Sequence, residues 1–372
     1  MEVVAIGTGG ARGWPEPGCR CASCQRTTAD GKQRKRSTIL VDGRVRLGSE
    51  DAGAGNGAGA GNGAGAGNLV VAGTEARADG KYVVRADGKY GEYVVRAIPG
   101  GWDVTGPDGK RLLYPDGAGA VPVPPDGTQA YDIAFVDVLA DPFQLGLLRA
   151  RGLVTEHTTT VAACADHRVS SIAELERLCA IWQVSVINDG DRVTTARSLK
   201  MGVYRVLVMG GARSGKSERA ELRVAAEPAV TYVATGPGGT GDPEWAARVA
   251  AHRARRPAWW RTIETTDLVR VLAAAEGAVL IDGIGTWLAA VLDQDGWDTG
   301  KLEARIAELT AAWRQANAYI VAVSDETGLG VIPETSAGRV FRDWLGRINQ
   351  ALANESEEAE LVVAGKALPL IP

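Results

Sequence analysis

The stretch Val-Leu-Val-Met-Gly-Gly-Ala-Arg-Ser-Gly-Lys-Ser, residues 206–217, joins an apolar run directly to a glycine-rich turn. Gly210 is followed, after four residues, by Gly215-Lys216-Ser217, the spacing of a phosphate-binding loop. The context agrees, with a β-type run before it and a helix-compatible stretch (218–226) after it. Glycines let backbone N–H groups turn inward around phosphate oxygens, at the positive end of the new helix. Gly210, Gly211, Ala212, Arg213, Ser214 and Gly215 would form the cradle. Lys216 is expected to reach the β- and γ-phosphates, and the Ser217 hydroxyl to ligand Mg²⁺. The motif predicts a bound nucleoside triphosphate.

Outward from this loop, residues 203–372 alternate β-type runs (204–209, 230–234, 278–282, 319–323, 360–364) with amphipathic stretches such as 245–254, 301–315 and 336–353. Such alternation specifies an α/β fold, a mostly parallel sheet flanked by helices, with the nucleotide at the carboxyl ends of the strands. The first ~200 residues read as a separate, glycine-richer and β-rich domain. Within it, residues 52–68 repeat Gly, Ala and Asn, with Asn56, Asn62 and Asn68 marking a six-residue period. That tract has little to bury and cannot offset its ordering entropy. Ala-Asp-Gly-Lys-Tyr occurs at 78–82 and again at 86–90, and Tyr-Val-Val-Arg at 82–85 and 93–96. Alternating β residues around Asp-Gly turns predict a hairpin meander there.

The chain has 372 residues and a formal net charge of −4, which gives no global reason to expect a nucleic acid or an anionic membrane as partner. No apolar stretch approaches the ~20 residues of a spanning helix. The opening Met-Glu-Val-Val lacks the basic region and apolar core of an export signal, so a cytoplasmic location is expected. Three of the five cysteines fall within residues 19–24, which argues for a metal site or free thiols in a reducing compartment.

Seven blocks of the second half come in the order of one family. They are Gly-Gly-Ala-Arg-Ser-Gly-Lys-Ser (210–217), Tyr-Val-Ala-Thr (232–235), Ala-Arg-Val-Ala-Ala-His-Arg-Ala-Arg-Arg-Pro (247–257), Trp-Arg-Thr-Ile-Glu (260–264), Val-Leu-Ile-Asp (279–282), Glu-Thr-Gly-Leu-Gly-Val-Ile-Pro-Glu (326–334) and Phe-Arg-Asp-Trp-Leu-Gly-Arg-Ile-Asn-Gln (341–350). Residues 203–372 thereby resemble the bifunctional adenosylcobinamide kinase/adenosylcobinamide-phosphate guanylyltransferases of cobalamin biosynthesis. The resemblance implies two activities: phosphorylation of adenosylcobinamide, then transfer of GMP from GTP through a histidine to the phosphate, giving adenosylcobinamide-GDP.

The family's nucleophile position falls on His252, the one histidine of this half, and a neutral imidazole is a competent nucleophile at pH 7. The resemblance also implies nucleotide contacts from Thr235, Gly236, Pro237, Arg255, Arg256, Glu264 and Asp282. Asp282 ends an apolar run where a carboxylate on the Mg²⁺ side belongs; a helix N-cap is its bland alternative. ATP, GTP, Mg²⁺ and adenosylcobinamide are the implied ligands, and a homo-oligomer, a trimer, the implied assembly. A second reading keeps the loop but limits the chain to kinase or NTPase work, with His252 structural.

Ile-Gly-Thr-Gly-Gly (6–10), Trp-Pro-Glu-Pro-Gly-Cys-Arg-Cys-Ala-Ser-Cys (14–24) and Val-Thr-Gly-Pro-Asp-Gly-Lys-Arg-Leu-Leu-Tyr (104–114) resemble metallo-β-lactamase-fold proteins. Enzymes of that fold hold two metals with a histidine-rich loop, whereas this chain has three histidines in all and no such motif. The domain is therefore read as degenerate, with Asp116 a remnant carboxylate and Cys164 standing where a catalytic histidine would. Cys19, Cys21 and Cys24 offer either three ligands for a structural Zn²⁺ or free thiols. Relatives of this fold complete such a site with a late histidine, a place the resemblance gives to His167. A third reading makes the chain chiefly a binding protein, with this half a zinc-stapled interaction module. His157 reads as a surface residue and Cys179 as core.

Overall fold

A computed structural model describes residues 1–48, 82–83, 87–193, 202–236 and 243–371, and divides the chain into two compact units, Met1–Leu199 and Lys200–Pro372. The Gly/Ala/Asn repeat of 52–68, the first Asp-Gly turn at 79–80 and Pro237 lie outside the described residues.

In the second unit, seven strands form one sheet in the order Arg261–Glu264, Val230–Ala234, Ala278–Asp282, Tyr319–Asp325, Tyr204–Gly210, Glu358–Val363 and Lys366–Pro369. All neighbours are parallel except the last pair. Parallel strands covered on both faces must be apolar throughout. That is why residues 206–209, 278–281 and 319–324 read as unbroken runs, every residue of which is buried. Leu207, Ile281 and Ile320 of the sheet pack with Leu288, Trp313, Leu345 and Leu352 of the covering helices. Three helices of this unit start on side-chain caps: Asp298 accepts from the Gly300 N–H, Thr335 from the Gly338 N–H and Asp267 from the Arg270 N–H. The α/β architecture is the one expected, with the strands Arg261–Glu264 and Lys366–Pro369 and the helices Leu268–Ala273 and Ile284–Gln294 added to it.

The helix that leaves the phosphate-binding loop, Lys216–Val224, is tied to the sheet by charge. Arg219 Nη2 lies 2.7 Å from Glu360 Oε1, and the buried Arg223 pairs with both Glu358 and Glu360. Burial by itself would raise the Glu360 carboxyl, but hydrogen bonds from Arg219 and Arg223 outweigh it and hold it below the ordinary glutamate value. A depressed carboxylate stabilises the fold above its unfolded value, and the gain is lost as pH falls through the folded one.

The first unit is β-rich, as expected, and holds two sheets. One has the order Arg192–Val193, Val3–Gly7, Thr38–Val41, Val45–Gly48, Tyr82–Val83; the other runs Thr159–Ala162, Ile133–Val136, Arg111–Pro115, Gly101–Thr105, Tyr93–Ile98, Gly88–Tyr90. Val3, Ile39 and Leu47 of the first sheet share a core with Val95, Leu112 and Phe135 of the second. The expected meander is corrected here. The second copy of the duplication does form a hairpin, Tyr90 facing Tyr93 across Gly91 at φ 67°, but Tyr82–Val83 of the first copy pairs in parallel with Val45 and Arg46 in the other sheet. Like sequences part because strand pairing follows the edge available, more than local preference.

Asp116 is exposed, its carboxylate 3.4 Å from the Trp102 indole nitrogen. The fully buried carboxylate of this unit is Asp137, which accepts from the Gly119, Leu139 and Ala140 N–H groups and from Arg168. Cys164 is buried beside it, and burial first, then Asp137, pushes its thiol up to about 12. Cys179 is core and His157 is exposed, as expected.

Substituting Glu360→Gln leaves Arg223 short of a buried partner and is expected to cost about 3 kcal/mol at neutral pH. The deficit should begin to shrink below the ordinary glutamate value, where the unfolded chain takes up a proton that the folded Glu360 resists. Urea titrations at pH 7 and pH 4 check this; an equal deficit at both values would show that Glu360 does not carry the effect.

Candidate active site

Strand register assembles the site. Gly210 stands opposite Asp325 on one side and Val362 on the other. Asp282 stands opposite Val323 and Ala234, and Ala234 opposite Glu264. The loop, two aspartates and a glutamate thus reach one edge of the sheet, at the carboxyl ends where ligands of open parallel sheets bind.

Two glycines of the loop are required by geometry. A Cβ on Gly210 would lie 2.4 Å from Ser214 Oγ and 2.7 Å from the Val362 carbonyl oxygen, and Gly215 sits at φ 95° before the helix. Ser214 Oγ is buried and lacks a hydrogen-bond partner among the described residues, while Arg213 is exposed. Lys216 is only 5% exposed; its Nζ donates to the Gly211 carbonyl at 3.1 Å and pairs with Asp325 Oδ1 at 2.9 Å.

One carboxylate organises the rest. Asp282 Oδ1 lies 3.4 Å from Ser217 Oγ, and Oδ2 accepts from the Tyr232 hydroxyl and lies 3.1 Å from His252 Nδ1. Burial by itself would raise the Asp282 carboxyl; hydrogen bonds from His252 and Tyr232, and the nearby charges of His252 and Lys216, bring it below the ordinary aspartate value. His252 belongs to the helix Pro243–Arg255, whose last turn is basic.

The two arginines expected at phosphate differ in place. Arg256 lines the cleft, its guanidinium carbon 3.7 Å from the centre of the Tyr232 ring, with Nη1 donating to Thr262 Oγ1 at 3.2 Å. Arg255 is held by two hydrogen bonds of 3.1 Å to Glu221, a buried carboxylate, and does not line the cleft. Gly236 and Glu264 line it, Glu264 being paired with Arg253. Thr235 braces its far wall, its Oγ1 donating to the Gly283 carbonyl at 2.6 Å and accepting from the Gly283 N–H at 3.1 Å.

The cleft is open to solvent, and Lys216, Ser217, His252, Arg256, Asp282 and Asp325 all line it. Sequence reasoning missed Tyr232, Thr262, Thr286 and Asp325 among its walls. Asp325 had a signal, since it follows a predicted strand at its carboxyl end. Tyr232 lies inside a strand, and nothing local marks its hydroxyl as a site group.

In the first unit, Cys19, Cys21, Cys24 and His167 converge, their ligand atoms all within 4.8 Å of one another. Cys24 Sγ is 3.7 Å from His167 Nδ1, and that nitrogen is also 3.4 Å from Glu16 Oε2.

The family model described as cobinamide kinase / cobinamide phosphate guanyltransferase matches residues 206–370. The bifunctional adenosylcobalamin biosynthesis protein CobU of Salmonella typhimurium is 39% identical over 175 residues, 43% of this chain and 96% of its own. The bifunctional adenosylcobalamin biosynthesis protein CobP of Pseudomonas aeruginosa is 41% identical over 172 residues, 45% of this chain and 96% of its own. The chain belongs to this family. Membership, carried by the second unit, makes it a bifunctional kinase and nucleotidyltransferase. Zn²⁺-bound PqqB from Methylobacterium extorquens matches 52% of this chain and all of its own at 13% identity, with a TM-score of 0.32, too low to carry an argument about the first unit.

Replacing Gly210 by Ala should weaken GTP binding by about a hundredfold, roughly 2.7 kcal/mol. Titration with a fluorescent GTP analogue tests this, with circular dichroism as the control for folding. Unchanged affinity would mean that the loop does not cradle phosphate.

Proposed function

We propose that the second unit performs two transfers in one cleft. A phosphoryl group passes from a nucleoside triphosphate to the hydroxyl of adenosylcobinamide. GMP then passes from GTP to His252 and on to the new phosphate, giving adenosylcobinamide-GDP. The observation that carries this reading is His252, 3.1 Å from Asp282 in the same cleft as Lys216 and Ser217. A merely structural histidine would have no need of a half-buried carboxylate among phosphate-binding groups.

Lys216 is placed to exchange Asp325 for phosphate oxygens, and the loop N–H groups to hold the β-phosphate. In the guanylyl step the imidazole attacks the α-phosphorus, a P–N bond forms, and the bond to pyrophosphate breaks with its electrons leaving on pyrophosphate. Arg256, which lines the cleft over the Tyr232 ring, is the guanidinium assigned to that reaction. Ser217 and Asp282 would hold Mg²⁺, which when bound neutralises phosphate charge; their 3.4 Å separation is close to the about 3 Å of adjacent octahedral ligands. No helix among the described residues is long and apolar enough to cross a membrane, and a cytoplasmic enzyme is the reading favoured. Leu329, Val331 and Ile332 stand exposed on the loop beyond Asp325, which supports a homo-oligomer, the trimer of the resemblance.

For the first unit we favour a non-catalytic role with a structural zinc. Three thiols and an imidazole nitrogen within 4.8 Å fit a tetrahedral ion, whose ligand atoms lie about 3.5–4 Å apart. Metal analysis of the purified chain should find about one zinc, lost in Cys21→Ser. A chain that carries no zinc after expression in zinc-supplemented medium refutes the site.

Incubation with GTP labelled at the α-phosphorus should give an acid-labile protein-bound label that is absent in His252→Ala. Failure of the wild-type chain to take up label would leave a kinase or NTPase without the guanylyl step.

A further inference from the structure

Tyr232 lines the cleft and is a buried polar side chain that the reaction just described does not use. It lies within the strand Val230–Ala234, is 2% exposed, and spends its hydroxyl hydrogen on Asp282 Oδ2. A carboxylate oxygen only accepts. Oδ2 therefore receives one hydrogen from Tyr232 and, at 3.1 Å, another from His252 Nδ1. The second oxygen, Oδ1, is turned to Ser217. The same tyrosine also serves from its face: the Arg256 guanidinium lies over its ring, and Arg256 Nε donates to the His252 backbone carbonyl at 3.0 Å. Ring and main chain of His252 are thus both held from one residue.

The geometry points to Tyr232 and Asp282 as a positioning pair that fixes His252 in the Nδ1–H tautomer and leaves Nε2 as the nitrogen that takes GMP. This rests on the covalent reading above and deepens it. Nε2 uses its lone pair on the α-phosphorus while pyrophosphate departs with the electrons of the broken P–O bond. The ring becomes an N-phosphorylated imidazolium whose Nδ1–H still donates to Asp282, so the positive charge is met where it forms and no proton has to move. When the substrate's phosphate oxygen attacks, the P–N bond breaks, its electrons return to Nε2, and the starting tautomer is restored.

The chain has three histidines, so long-range ¹H–¹⁵N spectra of the full-length protein assign each ring directly. Without nucleotide, the neutral ring of His252 should carry its proton on Nδ1; a neutral ring protonated on Nε2 overturns the proposal. After incubation with α-labelled GTP and alkaline digestion, the label should be found on Nε2 of histidine. Label on Nδ1 overturns the positioning pair but leaves the covalent intermediate standing, whereas no label overturns both. Tyr232→Phe should slow the burst of labelling about tenfold while its final extent stays that of the wild type. A burst at the wild-type rate removes Tyr232 from the role, and the tautomer measured in the wild-type chain decides the matter should the variant not fold.

Discussion

The second unit depends on strand register at one edge of a parallel sheet. Gly210 is level with Asp325, and Ala234 with both Asp282 and Glu264, because the strands pair without a bulge from Tyr204 to Gly210 and from Ala278 to Asp282. Side chains alternate along a strand, so a slip of one residue would send Asp282 to the other face of the sheet and away from His252. Apolar runs buried on both faces forbid such a slip, since no polar residue could take their place without losing its hydrogen bonds. The core built on Leu207, Ile281 and Ile320 is therefore also what aims the reactive groups.

Charge near the loop is arranged in closed sets. Lys216 is met by Asp325, Glu221 by Arg255, and Glu360 by Arg219 and Arg223. Each buried charge would be costly unpaired, so each set holds its part of the cleft in shape before nucleotide arrives. Asp282 differs, because it is met by a hydroxyl, an imidazole and a phenol instead of a guanidinium, with the charge of Lys216 nearby. A carboxylate kept ionised in this way suits a place where positive charge forms during transfer.

The first unit follows another logic. Its two sheets share an apolar core, and its buried carboxylate, Asp137, is met by Arg168 and three backbone N–H groups instead of by histidines. Cys21 caps the helix Ala22–Ala29 through its sulfur, so that part of the fold draws on the same atoms that would bind zinc.

The phosphate-binding loop and the alternation of strands and helices were legible because each is written in local spacing: glycines where backbone must approach phosphate, apolar runs of strand length. His252 was singled out only by the resemblance of its block to the family. Asp325 was within reach as the end of a predicted strand. Tyr232 was not, since its hydroxyl matters only because Asp282 comes from a neighbouring strand fifty residues later, level with Ala234. The same holds for Arg255 and Arg256, adjacent in a charge run yet committed to different partners, a buried glutamate for one and the wall of the cleft for the other. The duplicated segments of the first unit divided between two sheets for a related reason, the edge each one met. By itself the sequence determined which groups are present and which backbone they sit on, because those follow from spacing and periodicity. Which oxygen faces which donor was decided by tertiary structure, through the register of strands far apart in the chain.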